Sequence, residues 1–265
     1  MGELIFVGLG LNDEKGISLH GLEETRNADS VFLELYTSLL PDFSLQRLED
    51  LVSKKITLVS RQNLEEENGV SVIMAARQGK AVLLVPGDPF VATTHVTLRI
   101  EAEKKGIRTR IIHGASIISA IIGSSGLHNY KFGKTVTVPF PENFSETPYN
   151  VIGQNKRLGL HTLCLLDLRV EERRFLTVRE GLELLFAIER RRAKNIITPD
   201  AVAIGVARVG SEHPSLKADF AGSLLEYDFG SPPHSLILVG QLHFMEAEAL
   251  INFAGAPNEL RNVAK

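Results

Sequence analysis

The stretch PGDPFVATTH, residues 86–95, decides the fold class of this chain because it joins an apolar run directly to a long helical pattern. The run before it, residues 81–85, contains no charge, which is typical of a strand buried on both faces of a parallel sheet. Pro86 and Pro89 end that strand and fix a rigid turn. Ligands of open α/β sheets bind at the carboxyl ends of strands, so Asp88 lies there either to recognise a ligand or as a local cap.

Short apolar runs alternate with longer amphipathic stretches on both sides of this turn. Strands are predicted over residues 4–8, 30–35, 56–59, 81–85 and 108–112, and helices over residues 19–27, 70–77 and 94–105. The helix predicted over residues 94–105 ends in basic residues, as the helix dipole favours. This βαβα order predicts a mostly parallel sheet with helices on both faces.

The composition and periodicity of the sequence change after residues 135–138. Residues 139–148 contain three prolines and no periodicity, which predicts a linker. Beyond it, helices are predicted over residues 149–158, 178–192 and 244–254, and strands over residues 162–168, 201–207 and 236–239. Thr177 and Glu180 have the spacing of a capping box, and Gly255 stands where a helix C-terminal cap belongs. We therefore expect an α/β protein of two consecutive domains, residues 1–138 and 149–265, with mostly parallel or mixed sheets and a ligand cleft between the domains.

Composition places the chain among ordinary globular proteins. Its 265 residues are 44% hydrophobic and 23% charged, and a formal net charge of −3 gives no basic field for nucleic acid. The single cysteine, Cys164, lies in an apolar run, so we expect a core residue and a reducing compartment. The N-terminus resembles a strand rather than a signal peptide, and no apolar run approaches the roughly 20 residues that span a bilayer. These features predict a cytoplasmic protein that binds neither membrane nor nucleic acid.

The first predicted strand leads into GLGLND, residues 8–13. A dinucleotide fingerprint needs a third glycine where this chain has Asp13, and a helix that starts at once. A nicotinamide-dependent dehydrogenase is therefore disfavoured. Gly8 and Gly10 instead indicate that the backbone approaches another group closely, or that the turn is tight without any ligand.

Two further loops lie at the ends of predicted strands, the first after a strand and the second before one. In HGASIISA, residues 113–120, small residues at a helix start leave backbone N–H groups and the Ser116 hydroxyl for a polar ligand, or Ser116 is an N-cap. Prolines in residues 230–235 shape a loop that aims His234, either toward a ligand or in a structural role. No metal-ligand spacing, nucleophile elbow or phosphate loop is present in the sequence, which suits a reaction that depends on positioning two substrates.

Together these loops resemble those of the class III methyltransferases, the superfamily of the tetrapyrrole methylases, and most closely its diphthine synthase family. The motifs that carry the resemblance are GLGLND, LELYTSLL, PGDPFVATTH, HGASIISA, GLHNYKFGK, HTLCLLDLRV, ARVGS and PPHSL, which span residues 8–236. The resemblance implies a homodimer of two α/β domains that uses S-adenosylmethionine as methyl donor, releases S-adenosylhomocysteine and needs no metal. It also implies the substrate, a histidine of translation elongation factor 2 whose 3-amino-3-carboxypropyl amine is methylated repeatedly in diphthamide biosynthesis.

The family motifs also imply which residues bind the donor. The matching positions are Leu11, Asp88, Val91, Ser116, Ile117, Leu166, Val209 and His234. Candidates for a catalytic role are Asp88, Thr94 and His95, and the sequence identifies no general base. The rings of Tyr36 or Phe90 could favour a positively charged product by cation–π contact.

Two alternatives to this interpretation remain open. A precorrin-type tetrapyrrole methylase would share the fold, but the loop sequences ATTH and YKFG disfavour it. A dimeric donor-binding module without activity would explain the missing general base, although it would not explain so many loops that face a ligand.

Overall fold

The structure is a computed structural model and describes residues 2–264. These residues form two compact units. The first contains the residues up to Ile117 together with Arg169–Glu172. The second contains Ile118–Leu168 and the residues from Arg173 onward.

The first unit contains a single sheet and the helices that cover it. Its elements are β1 (Glu3–Gly8), α1 (Leu19–Arg26), β2 (Ser30–Glu34), α2 (Leu45–Val52), β3 (Thr57–Val59), α3 (Val70–Gln78), β4 (Lys80–Val85), α4 (Val96–Lys104) and β5 (Arg108–Ile112). The five strands are all parallel, in the order β3-β2-β4-β1-β5, so the predicted parallel sheet is confirmed. The helix predicted from residue 94 begins at Val96, with His95 as its N-cap, and α2 lies outside the predicted elements.

Strand β1 explains why this sheet is covered on both faces. Leu4 and Phe6 pack into one apolar core with residues of α3 and α4. Ile5 and Val7, which point the opposite way, pack into a second core with residues of α2. Because side chains alternate along a strand, the apolar run of residues 4–7 needs cover on both sides.

The second unit has a mixed sheet. The remaining elements of the chain are α5 (Ile117–Ser125), β6 (Val136–Val138), α6 (Thr147–Arg157), β7 (Thr162–Leu166), β8 (Leu168–Arg169), β9 (Arg174–Phe175), α7 (Val178–Arg192), β10 (Val202–Ala207), β11 (Ser215–Phe220), α8 (Ala221–Leu224), β12 (His234–Leu238), α9 (Phe244–Ala254) and α10 (Leu260–Val263). Five of the strands form a sheet in the order β11-β10-β12-β7-β6, in which β6 runs parallel to β7 and the other pairs are antiparallel. The predicted strands near β7, β10 and β12 are confirmed, and β11 adds an edge that the sequence pattern did not indicate.

The grouping of residues differs from the predicted division at residue 138. Strand β6 pairs with β7, from Val136 opposite Cys164 to Val138 opposite Leu166, and so belongs to the second sheet. Residues 139–148, predicted as a linker, contain a short 3₁₀ turn and the start of α6. Phe140, inside that stretch, is 2% exposed and lies in the core of the second unit. Burying this ring ties the proline-rich stretch to the second unit.

Several local predictions are confirmed in the second unit. Thr177 and Glu180 form a capping box at the start of α7, and Gly255 ends α9 in the left-handed conformation. Cys164 is buried, and burial raises the pKa of its thiol. Across residues 2–264, every helix is too short or too polar to cross a membrane.

Candidate active site

Three loops meet at the carboxyl edge of the first sheet. They follow β4, β1 and β5, which are neighbours in the sheet. The loops after β1 and β4 are joined by two backbone hydrogen bonds, from Gly10 N to Gly87 O at 3.2 Å and from Gly87 N to Gly10 O at 2.7 Å. This pairing extends past the ends of the strands and holds the turn of residues 86–95 in place.

The third loop, after β5, packs against the other two through backbone atoms. A Cβ atom on Gly114 would lie 2.3 Å from the carbonyl oxygen of Gly87 and 2.9 Å from the carbonyl carbon of Gly8. A Cβ atom on Gly8 would lie 2.5 Å from the backbone nitrogen of Gly114. Only glycine fits at these two positions. The close approach that the sequence predicts at Gly8 is therefore made by the chain's own loops.

Asp88 links two of these loops through its side chain. Its Oδ1 atom accepts a hydrogen bond from the Phe90 backbone N–H at 3.0 Å, which closes the turn on itself. Its Oδ2 atom accepts from Nδ1 of His113 at 2.7 Å. The Asp88 side chain is 8% exposed, whereas that of His113 is 71% exposed. The carboxylate therefore shapes its own turn and also fixes the loop after β5. Sequence reasoning missed His113, although it begins the HGASIISA motif.

The other donor-binding candidates of the first unit lie in the same three loops. Leu11 follows Gly10 directly and is half-buried. The Val91 backbone N–H donates to the Asp88 carbonyl at 3.3 Å, within the turn after β4. Ser116 is buried and immediately precedes Ile117, the first residue of α5. The first sheet thus brings five of the eight predicted residues to one edge.

The catalytic candidates Thr94 and His95 have partners on other elements. The exposed Thr94 hydroxyl donates to Glu65 Oε1 at 2.8 Å. The His95 ring is buried, and its Nε2 atom lies 3.2 Å from Oε1 of Glu34, the last residue of β2. Because β2 and β4 are adjacent parallel strands, this pair lies at the carboxyl edge of the sheet where Asp88 also lies.

The remaining donor-binding candidates share an edge of the second sheet. His234 is the first residue of β12 and lies opposite Ala207, the last residue of β10. Val209 follows β10 after one residue, and Leu166 ends β7 next to β12. The antiparallel register of the second sheet therefore places Leu166, Val209 and His234 together, within the second unit.

The His234 side chain is held inside the second unit. Its Nδ1 atom accepts a hydrogen bond from the Val178 backbone N–H at 3.3 Å, so its Nε2 atom carries the hydrogen and donates to the Gly230 carbonyl at 3.0 Å. Burial lowers the pKa of the imidazole, which favours this neutral form. The sequence placed His234 in a loop that aims the ring; the structure places it on β12, with both ring nitrogens bonded to backbone groups.

Arg208, between β10 and Val209, shapes the loop that leads to His234. Its guanidinium donates to the carbonyl of Phe229 at 2.9 Å and to that of Ser231. Its backbone lies in the left-handed region, at a φ of 52°. This residue was not among the predicted site residues, because a carbonyl-binding role has no sequence signature.

A cavity of about 230 Å³ also lies in the second unit, at the opposite edge of its sheet. Its walls include Thr162, the first residue of β7, and Leu238, the last residue of β12. It therefore contains none of the predicted donor-binding residues. Within residues 2–264, no group of three His, Cys, Asp or Glu side chains is arranged to hold a metal ion.

Comparison with known proteins gives consistent matches over the length of the chain. Residues 3–212 match the family of Tetrapyrrole (Corrin/Porphyrin) Methylases. A diphthine synthase of Methanosarcina acetivorans is 47% identical over 264 residues, which cover 97% of this chain and 98% of that protein. A diphthine synthase of Methanosarcina barkeri is 48% identical over 261 residues, which cover 96% of this chain and 97% of that protein. A crystal structure of diphthine synthase superposes with a TM-score of 0.91 at 44% identity and covers 99% of this chain and 100% of that one.

Proposed function

This chain belongs to the tetrapyrrole methylase family and, within it, to the diphthine synthases, and on this premise we propose that it methylates elongation factor 2. It is a methyltransferase of diphthamide biosynthesis. The acceptor we propose is the amine of a 3-amino-3-carboxypropyl group on one histidine of that factor. The observation that carries the proposal is the identity with diphthine synthases over nearly the whole length of both chains. The ring carbon of a tetrapyrrole, the acceptor suggested by the broader family description, lacks such full-length support.

S-adenosylmethionine is the methyl donor we propose. The carboxyl edge of the first sheet suits it, because the three loops that carry Leu11, Asp88, Val91, Ser116 and Ile117 pack backbone to backbone there. Main-chain groups held this rigidly are preorganised for binding a polar ligand. The donor supplies an activated methyl group, so the protein's own task is to hold and orient the donor and the acceptor amine and to exclude water from them.

In the second unit, Leu166, Val209 and His234 are the residues we propose for the donor. Leu166 and Val209 are buried apolar side chains at one sheet edge and can pack against apolar parts of the donor. Because both ring nitrogens of His234 are bonded to backbone groups, this residue would contact the donor through its main chain. S-adenosylhomocysteine, the product, would use the same contacts.

The acceptor sets a second requirement on the protein. An alkyl amine is mostly protonated near pH 7, as the ammonium ion. Only the neutral amine has the lone pair that attacks a methyl carbon. The protein must therefore align the amine with the donor, exclude water and receive a proton before each transfer. The Asp88 carboxylate is bonded to Phe90 N–H and His113, so we assign it to positioning the donor loop rather than to accepting the proton.

We further propose that the protein acts as a homodimer in the cytoplasm, with elongation factor 2 as its protein substrate and without nucleic-acid binding. The formal net charge of −3 supports the last point. Light scattering coupled to size exclusion gives the oligomeric state directly, and a monomer at micromolar concentration would contradict the dimer.

A methyl-transfer assay with three acceptors tests the proposed function. The chain is incubated with methyl-labelled S-adenosylmethionine and elongation factor 2 that carries the aminocarboxypropyl histidine, the same factor with unmodified histidine, or a precorrin. We expect label only in the modified factor. Label in the precorrin alone would favour a tetrapyrrole methylase. Donor binding by calorimetry without transfer to any acceptor would favour a binding module, and either result would contradict the proposal.

A further inference from the structure

Glu34, Tyr36 and His95 form a buried polar group that the donor site does not use. Glu34 and Tyr36 belong to the LELYTSLL motif at the end of β2. His95 ends the loop after β4, the same loop that carries Asp88 near its beginning. All three residues lie within the first unit, and each is at least nine-tenths buried.

The Glu34 carboxylate is fully hydrogen-bonded. Its Oε2 atom accepts from the backbone N–H groups of Tyr36, at 2.9 Å, and Thr37, at 3.1 Å. Its Oε1 atom accepts from the Thr37 hydroxyl and faces Nε2 of His95 at 3.2 Å. A carboxylate can only accept, so it fixes the imidazole hydrogen on Nε2. In the neutral ring, Nδ1 is then the nitrogen that carries the lone pair.

The Tyr36 hydroxyl has no partner at hydrogen-bonding distance within the part of the chain that the structure describes, although the Thr94 and Glu65 side chains lie close enough to affect its pKa. The residue is only 4% exposed. Burial raises the pKa of this hydroxyl, and the Glu34 and Glu65 carboxylates raise it further, so it stays protonated and neutral. Its ring packs edge-on against His95, with ring centroids 6.2 Å apart, and the Arg61 guanidinium lies 5.2 Å from the ring centroid.

Packing of the Tyr36 ring does not by itself require this hydroxyl. A buried polar group without a partner destabilises the folded state, and phenylalanine would pack the same ring without that penalty. A neutral hydroxyl beside a carboxylate-bound histidine instead provides an acceptor for an ammonium N–H and a nearby site for its proton. Such a pairing of a base with a group that orients it is the usual arrangement for proton transfer.

We propose that Tyr36, His95 and Glu34 form the acceptor side of the active site, in which the Tyr36 hydroxyl hydrogen-bonds the incoming amine and Nδ1 of His95 takes its proton. Glu34 is a positioning residue that holds the imidazole through Nε2. This assignment rests on the function proposed above. The identity of the acceptor protein and the assignment of the residues that bind its amine are separate claims, and separate results can overturn them.

The chemical step balances without any further reactant. An N–H bond of the ammonium breaks and its proton moves to His95 Nδ1, which leaves the lone pair on nitrogen. That pair forms the new N–C bond while the C–S bond breaks, and the electrons of the C–S bond remain on sulfur as a thioether. The imidazolium, held by the Glu34 carboxylate, releases its proton to water before the next methyl transfer. The titratable and charged groups around His95 are Glu34 and Tyr36, with Glu65 and Arg61 around the tyrosine.

Tyr36→Phe is the sharpest test, because it removes only the hydroxyl. We expect kcat/KM for the modified elongation factor to fall about 10- to 100-fold. The Kd for S-adenosylmethionine, measured by calorimetry, should stay within about twofold, and the midpoint of urea unfolding should stay the same or rise. Tyr149→Phe is the matched contrast, because the buried Tyr149 hydroxyl donates to Glu189 Oε2 at 2.9 Å. That variant should lower the unfolding midpoint and leave kcat/KM unchanged.

Two more variants test the proton-transfer role. We expect Glu34→Gln and His95→Gln to lower kcat about 100-fold or more. The acidic limb of the wild-type pH–kcat profile should also move or disappear in both, which a merely structural role would not produce. If His95→Gln fails to fold, Glu34→Gln and Tyr36→Phe still decide the question. An active wild type with an equally active Tyr36→Phe variant overturns this inference alone, whereas a wild type inactive on the modified factor overturns the proposed function.

Discussion

Replacing Gly114 with alanine tests whether the three loops at the edge of the first sheet must meet through their backbones. The new Cβ atom would lie 2.3 Å from the Gly87 carbonyl oxygen and 2.9 Å from the carbonyl carbon of Gly8. Both contacts are with backbone, so no side-chain rotation can relieve them. The loop after β5 must therefore move away from the loops after β1 and β4.

The expected cost follows from the size of this overlap. Inserting a methyl group into a packed backbone contact typically destabilises a protein by about 1–3 kcal/mol, and we expect a loss of that size in the free energy of unfolding. The displaced loop also carries His113, which holds Asp88, and Ser116. Since a shift of about 1 Å in a positioned site can cost a factor of about 100, the Kd for S-adenosylmethionine should rise about tenfold or more.

Gly123→Ala is the matched control, because Gly123 lies inside α5 and a Cβ atom there meets nothing within 4 Å. Alanine in a helix interior is favoured over glycine by roughly 0.5–1 kcal/mol, so this variant should be as stable as the wild type or more stable. Urea unfolding and donor calorimetry on both variants measure the two effects. Wild-type stability and a Kd within twofold for Gly114→Ala would refute the close-packed description of the loops.

Three further predictions concern charged groups. Asp88→Ala should raise the Kd for S-adenosylmethionine about tenfold, since both the Phe90 turn and the loop after β5 lose a hydrogen bond. Truncating the exposed His113 side chain should raise this Kd by less. Equal calorimetric affinity of Asp88→Ala and wild type would contradict the prediction. Glu24, bonded to Lys80, has its pKa lowered from 4.5 to about 2. Its folded-state pKa lies below the unfolded one, so its contribution to stability is present above pH 4.5 and is lost as the pH falls toward 2. Urea unfolding at several pH values should show that the stability of Glu24→Gln falls less steeply with decreasing pH than that of the wild type. An equally steep fall in both proteins would count against the pairing. Glu246 is fully buried and bonds the Lys131 ammonium as well as His161 Nε2 at 3.0 Å. Glu246→Gln removes the charge that pairs with Lys131 and should lower the unfolding free energy at pH 7 by about 3–5 kcal/mol, and an unshifted thermal midpoint would argue against that ion pair.

The parts of the fold that depend on local pattern could be predicted from the sequence. The apolar run before Pro86 is a buried parallel strand, and its predicted turn ends the strand where expected. Thr177 caps α7 through the predicted Glu180. In each case the relevant interaction lies within a few residues along the chain, so composition and spacing contain the information.

The partners of the site residues could not be predicted in this way. His95 meets Glu34 and Asp88 meets His113 only because β2 and β5 take places in the sheet that do not follow their order in the chain. His234 looks like a ligand-facing residue in its loop, but a backbone N–H of α7 occupies one of its nitrogens. Such long-range contacts depend on strand order and register, which periodicity in a single sequence does not specify.

Intact-mass analysis of elongation factor 2 tests the central claim most directly. The factor carrying the aminocarboxypropyl histidine is incubated with S-adenosylmethionine and this protein, and its mass is followed over time beside the factor with unmodified histidine. We predict that the modified factor gains mass in successive steps of one methyl group, while the unmodified factor gains none. No mass gain on the modified factor, under conditions in which calorimetry shows the donor bound, would contradict the account.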